Sequence, residues 1–345
     1  MAQRYLSAFF LLAVFSLSAC QRQEPEVHEQ QFIAFGTLID VTLYDTDATQ
    51  AQIAFAALER DLNQWHRDWH AWQPGLLHDL NQALAQHGAA DVPATLLPLI
   101  KTTQRITQQS GGLFDPAIGR LLALWGFQAD EPAQQPPLPA HITAWLKNPA
   151  SMADLQLNGK HLTTTQRGVQ LDFGACAKGY AAQLASARLH ELGIDNAIVA
   201  IAGDIRVAGT RGTRPWRIGV RHPRAQGVLG AVELHDGESI STSGDYQRYF
   251  TYEGRRYHHL LDPHTGYPAD TAISVTVIAR DGLSADAAAT ALFIADEDEW
   301  PRIARELNID QVLRVDAQGA VVMTPAMAAR MQLEGAPNVR IQALP

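Results

Sequence analysis

The chain has few cysteines, two in 345 residues: Cys20 and Cys176. Cys20 closes an N-terminal apolar run, which leaves Cys176 alone in the body of the chain, and one thiol cannot form an internal disulfide. Long apolar stretches are also missing. The N-terminal run, Leu6 to Leu17, covers about a dozen residues, too few to span a bilayer as a mature helix. Basic charge is in deficit, with 27 Lys and Arg against 36 Asp and Glu, a formal net charge of −9. An acidic chain argues against nucleic acid as the main partner. There is no internal repeat and no low-complexity segment. The phosphate-loop pattern G-x-x-x-x-G-K-[ST] and the dinucleotide pattern G-x-G-x-x-G are both absent, which removes the two commonest nucleotide signatures.

What is present begins at the N-terminus. Arg4, the apolar run and Leu17-Ser18-Ala19-Cys20 together read as a lipoprotein leader over residues 1–19, with Cys20 as the lipidated first residue. The polar residues that follow, 20–31, read as a tether, and residues 32–345 as one domain. With 46% apolar and 18% charged residues, that domain has an ordinary globular composition and enough chain to bury a large core.

Along the domain, Phe32–Tyr44 is strand-like with a break at Gly36-Thr37. Helical patterns are expected over Ala48–Trp65, Pro93–Gln109 and Pro116–Trp125. Trp65, His66, Trp69, His70 and Trp72 crowd together before Pro74-Gly75, and serve either to stack a planar ligand or to plug a core edge. The proline-rich stretch Ala129–Pro139 reads as a surface connection. Leu171–Tyr180, LDFGACAKGY, lies between a short strand expected over Gln170–Phe173 and a helix running to Leu192. It is followed by a buried strand, Ala197–Ala202, so the order resembles a βαβ-like unit. A glycine turn entering a helix N-terminus offers free N–H groups to an anion. Within that stretch, burial as a small core residue is the expected fate of Cys176.

Three later stretches hold polar groups. Ser241–Tyr246, STSGDY, reads either as a phosphate-contacting turn or as a plain surface turn. His258 to Pro268 carries three imidazoles and Asp262, but His258 and His259 point to opposite faces of a strand, which disfavours a shared zinc. Asp286 and Thr290 stand four apart on a helix that Ser284 caps, so their oxygens share one face. A carboxylate and a hydroxyl are hard ligands, suited to Mg²⁺ or Ca²⁺; the alternative is a helix-start carboxylate and a hydroxyl bonded to its own helix.

In this order the pieces resemble the FAD:protein FMN transferase family, the ApbE-type flavin transferases. The matching pieces are Gly36-Thr37, Gly112–Pro116 with Leu124–Phe127, LDFGACAKGY and Ala202-Gly203-Asp204. Thr242–Tyr246, His259–Pro263 with Thr265-Gly266, and Ala285-Asp286 with Thr290 complete the set. The resemblance implies an α+β fold, a single catalytic domain of mixed sheets flanked by helices. It implies FAD as substrate, Mg²⁺ as the metal, and transfer of FMN to a threonine hydroxyl of a target protein with release of AMP. The metal set implied is the Ala175 carbonyl, Asp286 and Thr290. The FAD-site residues implied are Phe35, Trp72, Leu113, Phe114, Asp115, Asp172, Lys178 and Leu260. His259 is the expected proton acceptor or phosphate-site residue. Two features depart from the family pattern: Phe35 stands where Met is frequent, and Gly75-Leu76-Leu77-His78 replaces a Ser-Glu-Leu segment.

The same resemblance suggests a membrane redox-pump subunit as acceptor and a body facing the periplasm. It favours the inner membrane, whereas Gln21 after the lipidated cysteine leaves the outer membrane open. Two other functions fit the same residues: a Mg²⁺-dependent FAD pyrophosphatase giving FMN and AMP, and an exported lipoprotein that binds FAD without chemistry. Asp286, Thr290 and His259 favour catalysis over the last.

Overall fold

A computed structural model describes residues 24–345 except Asp130, Pro132 and Ala336. The leader, Cys20 and the first tether residues lie outside the described residues. In chain order the elements begin with β1 (Val27–Ala34), β2 (Thr37–Tyr44), α1 (Ala48–Asp68), α2 (Leu76–His87), β3 (Ala89–Asp91), α3 (Leu97–Gln109), α4 (Gly119–Leu124) and α5 (Pro139–Leu146). Then come β4 (Leu155–Asn158), β5 (His161–Thr164), α6 (Ala177–Glu191), β6 (Ala197–Ile201), β7 (Asp204–Ala208), β8 (Trp216–Arg221), β9 (Val228–Leu234) and β10 (Ser239–Gly244). The chain continues through β11 (Tyr249–Tyr252), β12 (Arg255–His258), β13 (Ala272–Ala279), α7 (Gly282–Ile294), α8 (Trp300–Glu306), β14 (Gln311–Asp316) and β15 (Val321–Met323). It closes with α9 (Pro325–Ala328), β16 (Gln332–Leu333) and β17 (Val339–Ile341).

The fold is α+β. Among the described residues the main sheet has nine strands in the order β1-β2-β6-β7-β10-β13-β14-β15-β17, antiparallel except where β15 meets β17. One face carries α1, α6 and α7 over a core that includes Leu58, Leu62, Phe173, Ala185 and Phe293. The other face packs on β8 and β9 through Trp216, Ile218 and Val232. A third cluster, around Trp125, Phe127 and Phe250, covers the β11–β12 hairpin.

Antiparallel pairing places several turns at one end of the sheet. Ile39 pairs with Ile201, Ile201 with Asp204 and Ile240 with Ile205. The β1–β2 turn, the β6–β7 turn and the C-terminal end of β10 therefore share an edge. In the first turn Phe35 and Gly36 have φ of 53° and 69°, as a two-residue hairpin with positive φ at both positions requires.

α7 is buried along its length because Ala285, Ala287, Ala288, Ala289 and Ala291 offer no bulk on any face. It starts against α6, where two glycines let the backbones touch. A Cβ on Gly179 would lie 2.2 Å from the Gly282 carbonyl oxygen, and one on Gly282 would lie 2.4 Å from the Gly179 oxygen.

Several expectations are corrected. The tether ends earlier than Gln31, because Val27–Gln31 pairs with β2. Gln170–Phe173 is no strand. It keeps one bridge, Gln170 to Ile118, so α6 joins no parallel pair and no βαβ unit forms. Ser241–Tyr246 is not a surface turn. Residues 239–244 form a central strand whose Thr242 hydroxyl lies 2.9 Å from that of Thr276 on β13. Asp281, not Ser284, caps α7, accepting the Ser284 N–H at 2.8 Å. Helix α3 starts at Leu97 rather than Pro93.

Adding one methyl at the α6–α7 contact should be costly, because backbone cannot move aside as a flexible side chain can. Gly179→Ala is expected to lose about 1–3 kcal/mol, as overpacked cores do, read as a lower urea midpoint at unchanged m-value.

Candidate functional site

The site is built where α6 begins. Its first-turn N–H groups have no partner inside the helix. One of them, the Gly179 N–H, donates to Asp286 Oδ2 on α7 at 2.9 Å. The anion at this helix terminus is thus a carboxylate of the same chain, brought there by the glycine contact. Lys178 Nζ reaches Asp204 Oδ2 at 3.0 Å and Asp286 Oδ2 at 3.6 Å, and donates to the Gly174 carbonyl at 3.4 Å. Asp204 and Asp286 are 1% and 3% exposed.

Two buried carboxylates therefore face one ammonium. Burial raises the Asp286 carboxyl, and neighbouring Asp204 adds to the rise, to about 7. Burial works against the Lys178 charge, but Asp204 and Asp286 outweigh it and hold the ammonium above its ordinary value. Asp204 Oδ1 is buried without a partner among the described residues. One turn along α7, Thr290 Oγ1 lies 3.2 Å from Ser243 Oγ on β10. Surplus negative charge, the Asp286 carboxylate and hydroxyls at the next turn make a donor set that fits a hard divalent cation. Among the described residues no three His, Cys, Asp or Glu side chains form a metal-binding group. A cation here would need backbone, water or substrate oxygens besides Asp286 and Thr290. Ala175 is in the turn entering α6, next to Gly174, whose carbonyl already accepts from Lys178.

Asp172 sits one turn before α6. Its Oδ1 accepts the Gly174 N–H at 2.9 Å and its Oδ2 accepts from Gln128 at 2.9 Å. Its own N–H donates to the Pro116 carbonyl at 2.8 Å, which ties the Leu113–Pro116 loop to this turn. Leu113 and Phe114 are core residues. The Asp115 carboxylate is committed to Ser151 Oγ at 2.5 Å, the Ala117 N–H at 2.8 Å and the Met152 N–H at 3.0 Å, and burial pushes it up to about 6. A ligand would meet this segment mainly through its backbone. A cavity of about 590 Å³ lies beside it, lined by Thr107, Gly112, Asp115, Trp145, Ser151 and His264 rather than by the charged cluster.

The three imidazoles diverge. His258 Nε2 lies 2.8 Å from the Ala269 carbonyl, and its ring meets Phe293. His264 is in the following turn, near Asp262. His259 Nδ1 lies 3.1 Å from the Arg248 carbonyl and its ring meets Phe127 edge-on. A carbonyl only accepts, so Nδ1 carries the hydrogen and Nε2 keeps its lone pair. Burial, helped by the nearby His258 and Lys178, lowers the His259 imidazole to about 3, so it is neutral at physiological pH. Leu260, next in sequence, is buried and accepts from the Ala269 N–H at 3.0 Å.

The aromatic cluster divides. Trp69 is stacked between Trp65 at 5.9 Å and Tyr180 at 5.4 Å, with Phe35 at 5.9 Å, and is a core plug. Trp72 is half-buried with its ring 4.4 Å from His70. Phe35 donates its N–H to His66 Nδ1 at 3.2 Å, which holds a non-glycine residue at positive φ. Cys176 is buried, as expected, and burial raises its thiol well above the ordinary range.

The ApbE family model matches residues 35–313. The chain belongs to the ApbE family. A protein of Rhodobacter capsulatus named FAD:protein FMN transferase is 42% identical over 308 residues, covering 89% of this chain and 59% of that relative. One of the same name from Klebsiella pneumoniae is 29% identical over 307 residues, covering 87% and 92%. Among solved structures, the ApbE protein of Thermotoga maritima superposes with a TM-score of 0.81 at 29% identity, covering 89% of this chain and 100% of that one. The flavin transferase ApbE of Vibrio cholerae gives 0.78 at 25%, covering 89% and 99%.

Against this ApbE fold, the sequence reading missed contributors whose signal was faint. Asp204, the first residue of β7, belongs to the Ala202-Gly203-Asp204 piece, to which the sequence reading attaches no role. Ser243 lies in a stretch read as a turn. Gln128 adjoins the quoted Leu124–Phe127 piece. Gly179 contributes only a backbone N–H and the absence of a side chain.

His259 gives a pH test. Its folded value lies below the 6.5 of a free imidazole, so the unfolded chain binds more protons between about pH 6.5 and 3. The contribution of His259 to stability should fall as pH drops through that window, against the opposite trend of the raised Asp286 and Asp115 carboxyls. From pH 7 to 5 this residue should cost about 2 kcal/mol, at 1.36 kcal/mol per unit. The change in urea midpoint from pH 7 to pH 5 should be more favourable in His259→Gln than in the parent.

Proposed function

We propose that the chain transfers FMN from FAD to a hydroxyl of a target protein, a threonine in the reading the sequence suggests, and releases AMP. The observation that carries this is the conjunction at one end of the sheet of a neutral imidazole, a half-buried ammonium and two buried carboxylates with an oxygen-rich donor set. The names of the relatives support it, and the family-model match extends over most of the domain.

The chemistry asks for little covalent machinery. Pyrophosphate cleavage depends on positioning and on neutralising charge. The acceptor oxygen bonds to the FMN phosphorus, the bridging oxygen leaves with AMP, and the hydroxyl proton goes to His259 Nε2. Lys178 offers its ammonium to the phosphates. Asp172 and the peptides of Leu113–Asp115 hold the nucleotide, while Phe35, Trp72 and Leu260 give apolar surface. Asp286, Thr290 and the Ala175 carbonyl would hold Mg²⁺, which supplies charge stabilisation when bound. We further propose a lipid anchor at Cys20, a periplasm-facing body and a membrane redox-pump subunit as acceptor. The inner membrane is the family-favoured location.

Incubation with FAD, Mg²⁺ and an acceptor domain should give a fluorescent band and an acceptor heavier by one FMN. Free FMN and AMP without labelled acceptor would instead identify a pyrophosphatase, and unchanged FAD would overturn both. Asp286→Ala should reduce turnover at least a hundredfold. Full activity of that variant with trace metals chelated would refute the metal set.

A further inference from the structure

We propose that Asp204 is a positioning residue of this site: it holds the Lys178 ammonium away from Asp286 and so keeps that carboxylate available to a divalent cation. The proposal rests on the flavin-transfer reading and its metal set. Nothing in that reading assigns Asp204 a role.

The argument starts from the backbone. Asp204 is the first residue of β7 and pairs with Ile201 across the turn at Ala202, whose φ is 53°. Its neighbour Gly203 would place a Cβ 3.2 Å from the Thr242 carbonyl oxygen of β10, so this turn lies against a central strand and has little room to shift. The Asp204 carboxylate is thereby fixed inside the protein. A buried carboxylate with one partner is expensive, because the loss of hydration is only partly offset. Here the partner is Lys178, at 3.0 Å, and Oδ1 has none among the described residues. Asp204 therefore stabilises the position of the ammonium more than it stabilises itself.

The second distance shows what that position controls. Lys178 Nζ lies 3.6 Å from Asp286 Oδ2, beyond good hydrogen-bond length, while that oxygen accepts from the Gly179 N–H. A lysine ammonium sits on a flexible stem and follows the nearest anion. Without the Asp204 charge, the buried anion left to it is Asp286. The ammonium would close on that oxygen and compete with any cation for it. Asp204 itself need not be a ligand, since its free oxygen is enclosed.

The test uses Mn²⁺ alone as probe, without nucleotide, with free ion followed by electron paramagnetic resonance. Asp204→Asn keeps the shape and removes the charge, and should weaken Mn²⁺ binding at least tenfold. Adding Lys178→Met removes the competitor and should restore affinity to within about threefold of the parent, a coupling that a merely structural role would not produce. Parent-like binding by Asp204→Asn overturns the proposal. So does a double variant as weak as the single one, since Asp204 would then act on the cation by its own charge. Should Asp204→Asn fail to fold, Lys178→Met alone decides: it should bind Mn²⁺ no more weakly than the parent, and weaker binding overturns the proposal. A parent that binds no Mn²⁺ would overturn the metal set itself, a failure distinguishable from the others.

Discussion

The site depends on a contact between two backbones. Gly179 and Gly282 let α6 and α7 approach until carbonyl and Cα nearly touch, and the approach puts a first-turn N–H of one helix on a carboxylate of the other. Any side chain at either position would separate the helices. Asp286 would then lose a fixed dipole, and Lys178 could not stand between two acids. Charge in a protein interior is tolerated only where such partners are held in place.

From that contact the electrostatics follow. A buried pair of carboxylates opposite one ammonium carries surplus negative charge in a poorly hydrated setting. Such an arrangement costs stability, and a cation bound there would relieve it. The neighbouring imidazole is tuned the other way, kept neutral by burial and pointed by the Arg248 carbonyl. Burial thus shifts both groups toward their neutral forms, the carboxyl upward and the imidazole downward.

The general organisation was legible in the sequence because it rests on ordinary signals. The break read at Gly36-Thr37 falls at the first hairpin, the helix read around Asp286 is α7, and the i, i+4 spacing of Asp286 and Thr290 gives a shared face. What stayed hidden has no residue-type signature. Gly179 acts through a peptide N–H, and β10 is written in serine, threonine and glycine, which propensity assigns to turns although tertiary pairing makes it a central strand. Gln170–Phe173 showed the converse: an apolar, strand-like run whose would-be ladder partners are replaced by the Pro116 and Asn81 contacts of a loop. Asp204 was visible as a residue, but its meaning is a distance to Lys178, which only the folded chain defines.

The shared edge of the sheet has a further consequence, for the order of events in folding. The groups proposed to face the ligand come from the first hairpin, the loop before α4, the start of α6, the β6–β7 turn, β10, the residue after β12, and α7. Contacts between such distant segments form late, because closing long stretches of chain costs entropy before it is rewarded. No fragment short of α7 contains both Asp286 and its partners. A nucleotide that binds this edge therefore binds only the finished fold, and its affinity adds in full to the stability of that state. Capture of the ligand thereby becomes a report on whether the whole chain has folded.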